Sequence, residues 1–417
     1  MERSDVVVIG GGIAGLLAAI WSAERGRSVR LLTYGQGALT VAGGVVDLYG
    51  YTPEGLEVTQ PLKAMEKLSA PHPYALIGRE KVEAAVRAFL ELTKAAGYPY
   101  TGDGNTNLQI PTAIGTFKPS GLAPLSLDGS ALLEAEHILV VGFKLLKDFF
   151  PELIANGCRK YFGPDKTVGE RLVELDFEQG QGFRDVSALD VARELEKEGQ
   201  LERVALQLKS SIRPKTALIF PPVLGEKPSY SVWNNLKTAL DCDIVETSSM
   251  PPSVTGLRLD RLLYDYARRV GVEIVEKAHV TDAVVKDGIC LSVRTQNYGR
   301  TLSYGATHFI LATGGVFGGG LKAGMGYLKE SVFNLELDVP PDQALWSYPH
   351  LFEGKAQPFA AYGVKVNAKL QPVDAQGEVL LHNVRVAGRS LGGYDFCFEK
   401  SGNGVALASA YCASQSL

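Results

Sequence analysis

Cysteine is scarce and scattered in this chain of 417 residues. Cys158, Cys242, Cys290, Cys397 and Cys412 contain no Cys-x-x-Cys pair, so the chain shows no zinc or iron–sulfur ligation pattern of its own. Five cysteines without a framework suit a reducing cytoplasm, and most read as small buried hydrophobes. Basic surplus is also lacking: 42 Lys and Arg stand against 46 Asp and Glu. A net charge of -4 gives no electrostatic case for nucleic acid. Long apolar runs are absent beyond residues 6–23, and three consecutive glycines there argue against a membrane span. Glu2, Arg3 and Asp5 make a poor start for an export signal.

What the chain does have is glycine, 46 of them, partly in short runs at 10–12, 314–315, 318–320 and 392–393. Glycine runs are expected where backbone must approach a ligand closely. The first follows an apolar strand and opens a helix, in Asp5-Val-Val-Val-Ile-Gly10-Gly11-Gly12-Ile-Ala14-Gly15. Gly10 would permit the tight turn, Gly12 leaves room for a cofactor phosphate, and Gly15 lets helix and strand pack closely. The helix N-terminus beyond offers free N–H groups to an anion. A phosphate of a nucleotide cofactor is the expected ligand.

Ser28–Thr33 reads as the second strand. In a dinucleotide-binding unit its end usually carries an acid that holds the adenosine ribose, whereas here Thr33 and Tyr34 stand there. The bidentate grip on a ribose is therefore missing. The next segment, with Thr40, Gly43 and Gly44, is too small-sided for core and too apolar for a loose linker. It is similar to the segment that runs beneath the flat ring in flavoproteins with such an N-terminus, with an ordinary crossover loop as the alternative.

Helical periodicity covers 60–69 and 79–96, broken by Pro71-His72-Pro73-Tyr74. His72 is a candidate acid/base or substrate contact, with loop packing the alternative. Residues 101–135 form a long loop or short hairpin, in which Lys118 would face an anionic substrate or solvent. Strands at 137–142, 171–175, 217–220 and 243–246 alternate with helices at 143–156, 186–198, 200–210 and 229–240. That alternation predicts a second α/β unit inserted in the first. Arg184, before a predicted N-cap at Ser187, would bind a phosphate or form a structural ion pair.

From residue 250 the chain returns to the first unit through Pro251-Pro252 and an amphipathic helix carrying Arg258. Strands at 272–276, 279–285, 289–295 and 302–304 follow, with a turn at Asp287-Gly288, and then the strand His308–Thr313. Ala312-Thr313-Gly314 ends this strand in small residues, as a buried strand abutting a cofactor would. In the tail, a strand reaches Gly388-Arg389, and Gly402-Asn403-Gly404-Val405 opens the closing helix, whose positive end would favour negative charge on a ligand.

Those three segments together resemble the flavoprotein family that includes fumarate reductase and aspartate oxidase. The stretches Thr33–Leu39, Ala70–Tyr74, Met250–Leu259 and Gly388–Asp395 are similar, more narrowly, to the family of B subunits of anaerobic glycerol-3-phosphate dehydrogenase. The resemblance runs end to end, and that family shares the missing acid at Thr33.

The resemblance implies an α/β fold: a Rossmann-like flavin-binding domain with a β-meander (1–75 and 250–417) interrupted by an inserted α/β substrate or partner domain (76–249). It implies FMN, the family's recorded cofactor, with FAD as the alternative given the full glycine fingerprint. It also implies an FAD-containing catalytic partner, an iron–sulfur subunit at the inner face of the cell membrane, and glycerol 3-phosphate as substrate. Commonly in such folds an acid follows the glycine at 388 and holds a ribityl hydroxyl; Arg389 stands there instead and would meet a flavin phosphate. Arg258, Lys118 and Arg184 are, in that order, the candidates for the substrate phosphate, and His72 for the base. The rival expectations are an electron-relay or structural subunit, and another fumarate-reductase-like oxidoreductase.

Overall fold

The computed structural model describes residues 2–177, 186–248, 251–297, 300–335, 337, 339–350 and 356–417. Its centre is a seven-stranded sheet. Glu273–Val275, Val29–Leu32, Glu2–Ile9 and Arg300–Leu311 lie side by side and parallel, and Val384–Val386 pairs in parallel with the end of Arg300–Leu311. The meander strands Ile289–Asn297 and Val280–Lys286 continue the other edge antiparallel. Asp287 and Gly288 both take positive φ, 52° and 72°, which closes their hairpin with the hand that matches strand twist.

The strands expected at 302–304 and 308–313 are one strand, Arg300–Leu311. Its first half is an exposed edge of the meander and its second half is core, so the apolar pattern changes midway without a break in the backbone. Val6, Val7 and Val8 carry no exposure, consistent with a parallel strand covered on both faces. One face is covered by Ile13–Glu24 and by Gly402–Gln415, a helix whose buried residues are Ala, Ser or Gly except for Val405, Leu407 and Cys412. Small side chains allow the two helices to approach closely, with the Trp21 and Tyr411 rings edge to face at 5.4 Å.

A second sheet has the order Asp243–Glu246, Thr216–Phe220, His137–Phe143, Thr167–Val173, all parallel. It carries its own core of Ile138, Val140, Leu218, Ile219 and the helices around them. This is the predicted inserted α/β unit. Its boundary, however, is not at 76. Val82, Ala85, Val86, Phe89 and Leu92 of the helix Arg79–Ala95 belong to the first core, and the second core begins at Ala113. The helix expected at 143–156 is also displaced: it runs Pro151–Phe162, with Pro151 in its first turn where a missing N–H costs nothing. Ser187 caps its helix as expected, in a capping box with Asp190.

Candidate functional site

Three distant glycine segments meet at the carboxyl end of the first sheet. Gly10 has φ 113°, and a Cβ there would lie 2.3 Å from the Ala312 carbonyl oxygen. A Cβ on Gly15 would lie 1.8 Å from the oxygen of Gly10, so helix and turn touch backbone to backbone. Gly12 is different, because a Cβ there would meet nothing within 4 Å. It is the open side of the turn, and its extended backbone (φ -80°) is ordinary for any residue. A Cβ on Gly388, at φ 69°, would come 2.6 Å from the Cβ of Ala14. Ser390 then ties the third segment to the second: its hydroxyl accepts from the Gly314 N–H at 3.1 Å and lies 3.4 Å from the Thr313 hydroxyl.

Thr33 does not face outward. It is 3 % exposed, and its hydroxyl donates to the Gly35 carbonyl at 3.0 Å. A Cβ on Gly11 would lie 2.4 Å from that same hydroxyl oxygen and 3.0 Å from the Tyr264 hydroxyl. Tyr34 beyond it is exposed and stacks on His279 at 4.4 Å. The small-residue segment folds over the turn, since a Cβ on Gly37 would meet the Gly12 Cα at 2.7 Å. Thr40 accepts from the Ser253 N–H through its carbonyl at 3.0 Å. Gly43 and Gly44 are pressed against Ser248 and Thr255, with the Thr255 hydroxyl donating to the Gly43 carbonyl at 2.8 Å. This segment thus joins the glycine turn to the helix Val254–Arg269.

Several expected roles need correction. Gly404 and Val405 do not stand ahead of the closing helix toward a ligand. The Gly404 N–H donates to the Asp47 carbonyl at 3.0 Å, a Cβ there would strike the Tyr74 hydroxyl, and Val405 is core. Arg389 donates from Nη1 to the Tyr362 and Leu391 carbonyls at 3.4 and 3.3 Å and from Nη2 to the Ala360 carbonyl. Its guanidinium lies 4.3 Å over the Phe396 ring. Burial lowers its pKa, as removal from water disfavours the charged form.

The candidate catalytic residues are not brought together. Arg258 is 1 % exposed and forms a two-pronged pair with Glu246, Nη1 to Oε2 at 2.6 Å and Nη2 to Oε1 at 3.0 Å. Its Nε donates to the Gly225 carbonyl at 2.8 Å, and Glu246 also accepts from Ser126 and the Leu224 N–H. Each of the three Arg258 guanidinium nitrogens is engaged inside the protein and the side chain is buried, so Arg258 is not available to a substrate phosphate.

Lys118 reaches both oxygens of Asp47, at 3.0 and 2.8 Å, a partner 71 residues away that no local spacing announces. His72 is 6 % exposed: Nδ1 accepts from the Tyr74 N–H at 3.1 Å, capping the helix Pro73–Ile77, and Nε2 faces Glu399 at 3.2 Å. Both ring nitrogens are occupied, which is the loop-packing alternative rather than a free base. Arg184 lies outside the described residues.

Among the described residues no group of three metal-ligating side chains occurs, and no helix is long and apolar enough to cross a membrane.

A family described as FAD binding domain matches residues 5–405. The B subunit of the anaerobic glycerol-3-phosphate dehydrogenase of Vibrio cholerae is 30 % identical over 100 % of this chain and 97 % of the relative. The probable B subunit of the same dehydrogenase in Halobacterium salinarum is 32 % identical over 99 % of this chain and 97 % of the relative. Among solved structures, the quinol fumarate reductase chain of E. coli is 10 % identical, with a TM-score of 0.43, over 100 % of this chain and 70 % of that one. The matching domain family supports a flavin and FAD in particular, and lends the FMN expectation no support. The chain belongs to the FAD-binding flavoproteins of the fumarate reductase group and, within them, to the family of B subunits of anaerobic glycerol-3-phosphate dehydrogenase.

Proposed function

We propose that this chain is the flavin-holding subunit of a quinone-linked glycerol-3-phosphate dehydrogenase. It acts with an FAD-containing catalytic partner to oxidise sn-glycerol 3-phosphate to dihydroxyacetone phosphate. Electrons pass through an iron–sulfur subunit to quinone, with fumarate or nitrate as final acceptor, at the inner face of the cell membrane. The observation that carries this reading is similarity over the whole chain, insertion included, to relatives of that name.

FAD is the cofactor we assign, and the residues present fit it. The open face of Gly12 accommodates a phosphate at the positive end of Ile13–Glu24, and Ala312–Gly314 and Gly388 form the small-residue wall beside it. The chemistry a bound flavin supplies is hydride acceptance and onward electron transfer. The chain's own part is to hold and orient. Arg389 pins the Tyr362, Leu391 and Ala360 carbonyls, and the buried Tyr362 hydroxyl is left without a hydrogen-bond partner.

A second reading is favoured by one observation: Arg258, Lys118 and His72 are each engaged by the protein itself. On that reading the chain relays electrons and binds no substrate. Anaerobic mixing of the isolated chain with glycerol 3-phosphate separates the two. Loss of oxidised-flavin absorbance supports substrate oxidation here, and an unchanged spectrum, with bleaching restored by the partner subunit, supports relay. Denaturation and chromatography of the released cofactor test the FAD assignment, which FMN alone in the eluate would sink.

A further inference from the structure

We propose that the hairpin formed by Leu321–Gly324 and Tyr327–Glu330 docks the electron-accepting partner of this chain, and that the partner's matching surface is acidic. This rests on the reading above, in which electrons leave the flavin held here for an iron–sulfur subunit.

The hairpin is rooted in the small-residue wall assigned to the flavin. A Cβ on Gly320 would strike the Gly314 carbonyl and lie 2.7 Å from the Thr313 hydroxyl oxygen. The Gly320 N–H donates to the Gly315 carbonyl at 3.1 Å, and on the return strand the Ser331 N–H donates to the Gly320 carbonyl at 3.0 Å. From that base, strands of four residues carry the tip about 13 Å away.

The two faces of the hairpin differ. Leu321, Leu328 and Glu330 are buried on one, where the Glu330 carboxylate accepts from the Val332 and Phe333 N–H groups at 2.7 and 2.6 Å. On the other, Lys322 stands directly across from Lys329. Like charges directly opposite each other destabilise a strand pair, and a two-stranded hairpin has little stability to spare. Among the described residues no carboxylate pairs with either lysine. The arrangement is unfavourable in the chain alone and becomes favourable once an acidic surface lies across both ammonium groups. Apolar side chains flank them. Met325 at the tip is 98 % exposed and Phe317, beside the root, is 84 % exposed. Leu345 is exposed too, on a segment tied to the hairpin by the Gln343 Nε2 bond to the Gly324 carbonyl at 3.0 Å. Exposed apolar groups around a charged pair suit a protein partner. Electron transfer falls steeply with distance, and a partner seated here rests on the element that abuts the flavin wall.

The test is calorimetric titration of the flavin-loaded full chain with the iron–sulfur subunit and, separately, with the FAD-containing subunit, at low and at physiological salt. Wild type, Lys322→Glu, Lys322→Glu/Lys329→Glu, Met325→Asp and a distant control, Lys286→Glu, are compared, with flavin content and thermal melts recorded for each. Lys322→Glu sets opposite charges across the hairpin, so the isolated chain is expected to melt no earlier than wild type. Its Kd for the iron–sulfur subunit is nevertheless expected to rise about tenfold, and further in the double variant, with the gap narrowing as salt is raised. Lys286→Glu is expected to change that Kd by less than about twofold. Should a lysine variant lose its flavin, Met325→Asp carries the same expectation of weaker binding. Unchanged Kd in the flavin-loaded hairpin variants overturns the proposal, and so does equal weakening by Lys286→Glu. Weakened binding to the FAD-containing subunit alone also overturns it. A flavin-loaded wild type that does not bind the iron–sulfur subunit removes the complex proposed above and this docking site with it.

Discussion

A methyl group on Gly15 would sit 1.8 Å from the carbonyl oxygen of Gly10, while one on Gly12 would touch nothing within 4 Å. The two glycines of one motif therefore answer to different demands. Gly15→Ala forces backbone apart inside the core and is expected to cost about 2–3 kcal/mol in urea unfolding. Gly12→Ala is expected to leave stability within about 0.5 kcal/mol and to weaken flavin binding instead. Equal effects of both on stability would show that the open face of Gly12 is not a ligand face. Asp260 gives a second contrast at this scale. Its carboxyl is raised by burial from the ordinary 3.8 to about 6. Protonation is thus favoured in the folded state, so the associated stability is present in full below pH about 4 and lost as pH rises through 6. Two units unscreened are about 3 kcal/mol, and water at this partly exposed group reduces that to about 1–2 kcal/mol. Flavin-free Asp260→Asn should be more stable than wild type by that amount at pH 8, with the difference vanishing near pH 4. A variant less stable than wild type at pH 8 would mean that the carboxylate already has a good partner.

At the scale of elements, the helix Val254–Arg269 carries more than its pattern shows. Leu259, Leu262 and Leu263 are legible as one apolar face. Arg258 reads as free for a substrate because its partner, Glu246, ends a strand of the other sheet and no local spacing announces the pair. Removing Arg258 leaves a fully buried carboxylate unpaired, so Arg258→Ala is expected to cost about 3–5 kcal/mol by urea unfolding. In a complex that remains folded, the KM for glycerol 3-phosphate should not move. A raised KM without loss of stability would return Arg258 to the substrate site. The strands of the meander and of the inserted sheet lie within a few residues of their expected places because alternation and turn residues are local signals. The helix beginning at Pro151 is expected too early because Phe143–Phe149 is apolar enough to imitate a helix while lying at a strand end and in turns.

Over the whole molecule, the second core draws on residues from Ala113 to Val254, although Leu122 and Tyr230 in that span belong to the first, and the Arg258–Glu246 pair couples the two. Calorimetry of the wild-type chain should show one unfolding transition, and of Arg258→Ala two, as the inserted core melts apart from the first. Two transitions already in wild type would mean the pair does not couple them. The amphipathic pattern of Arg79–Ala95 cannot say which of the two cores it joins, which is why the insertion is shorter than its sequence pattern implies. By itself the sequence determined the α/β class, the insertion, the glycine turn and the family, since each rests on local order along the chain. Only the tertiary structure decided which charged groups are available. A carboxylate from one element can satisfy or fail to satisfy a cation from another only once both are fixed in space. That is how Arg258, Lys118 and His72 came to be engaged internally, although along the chain each reads as an available charged or basic group.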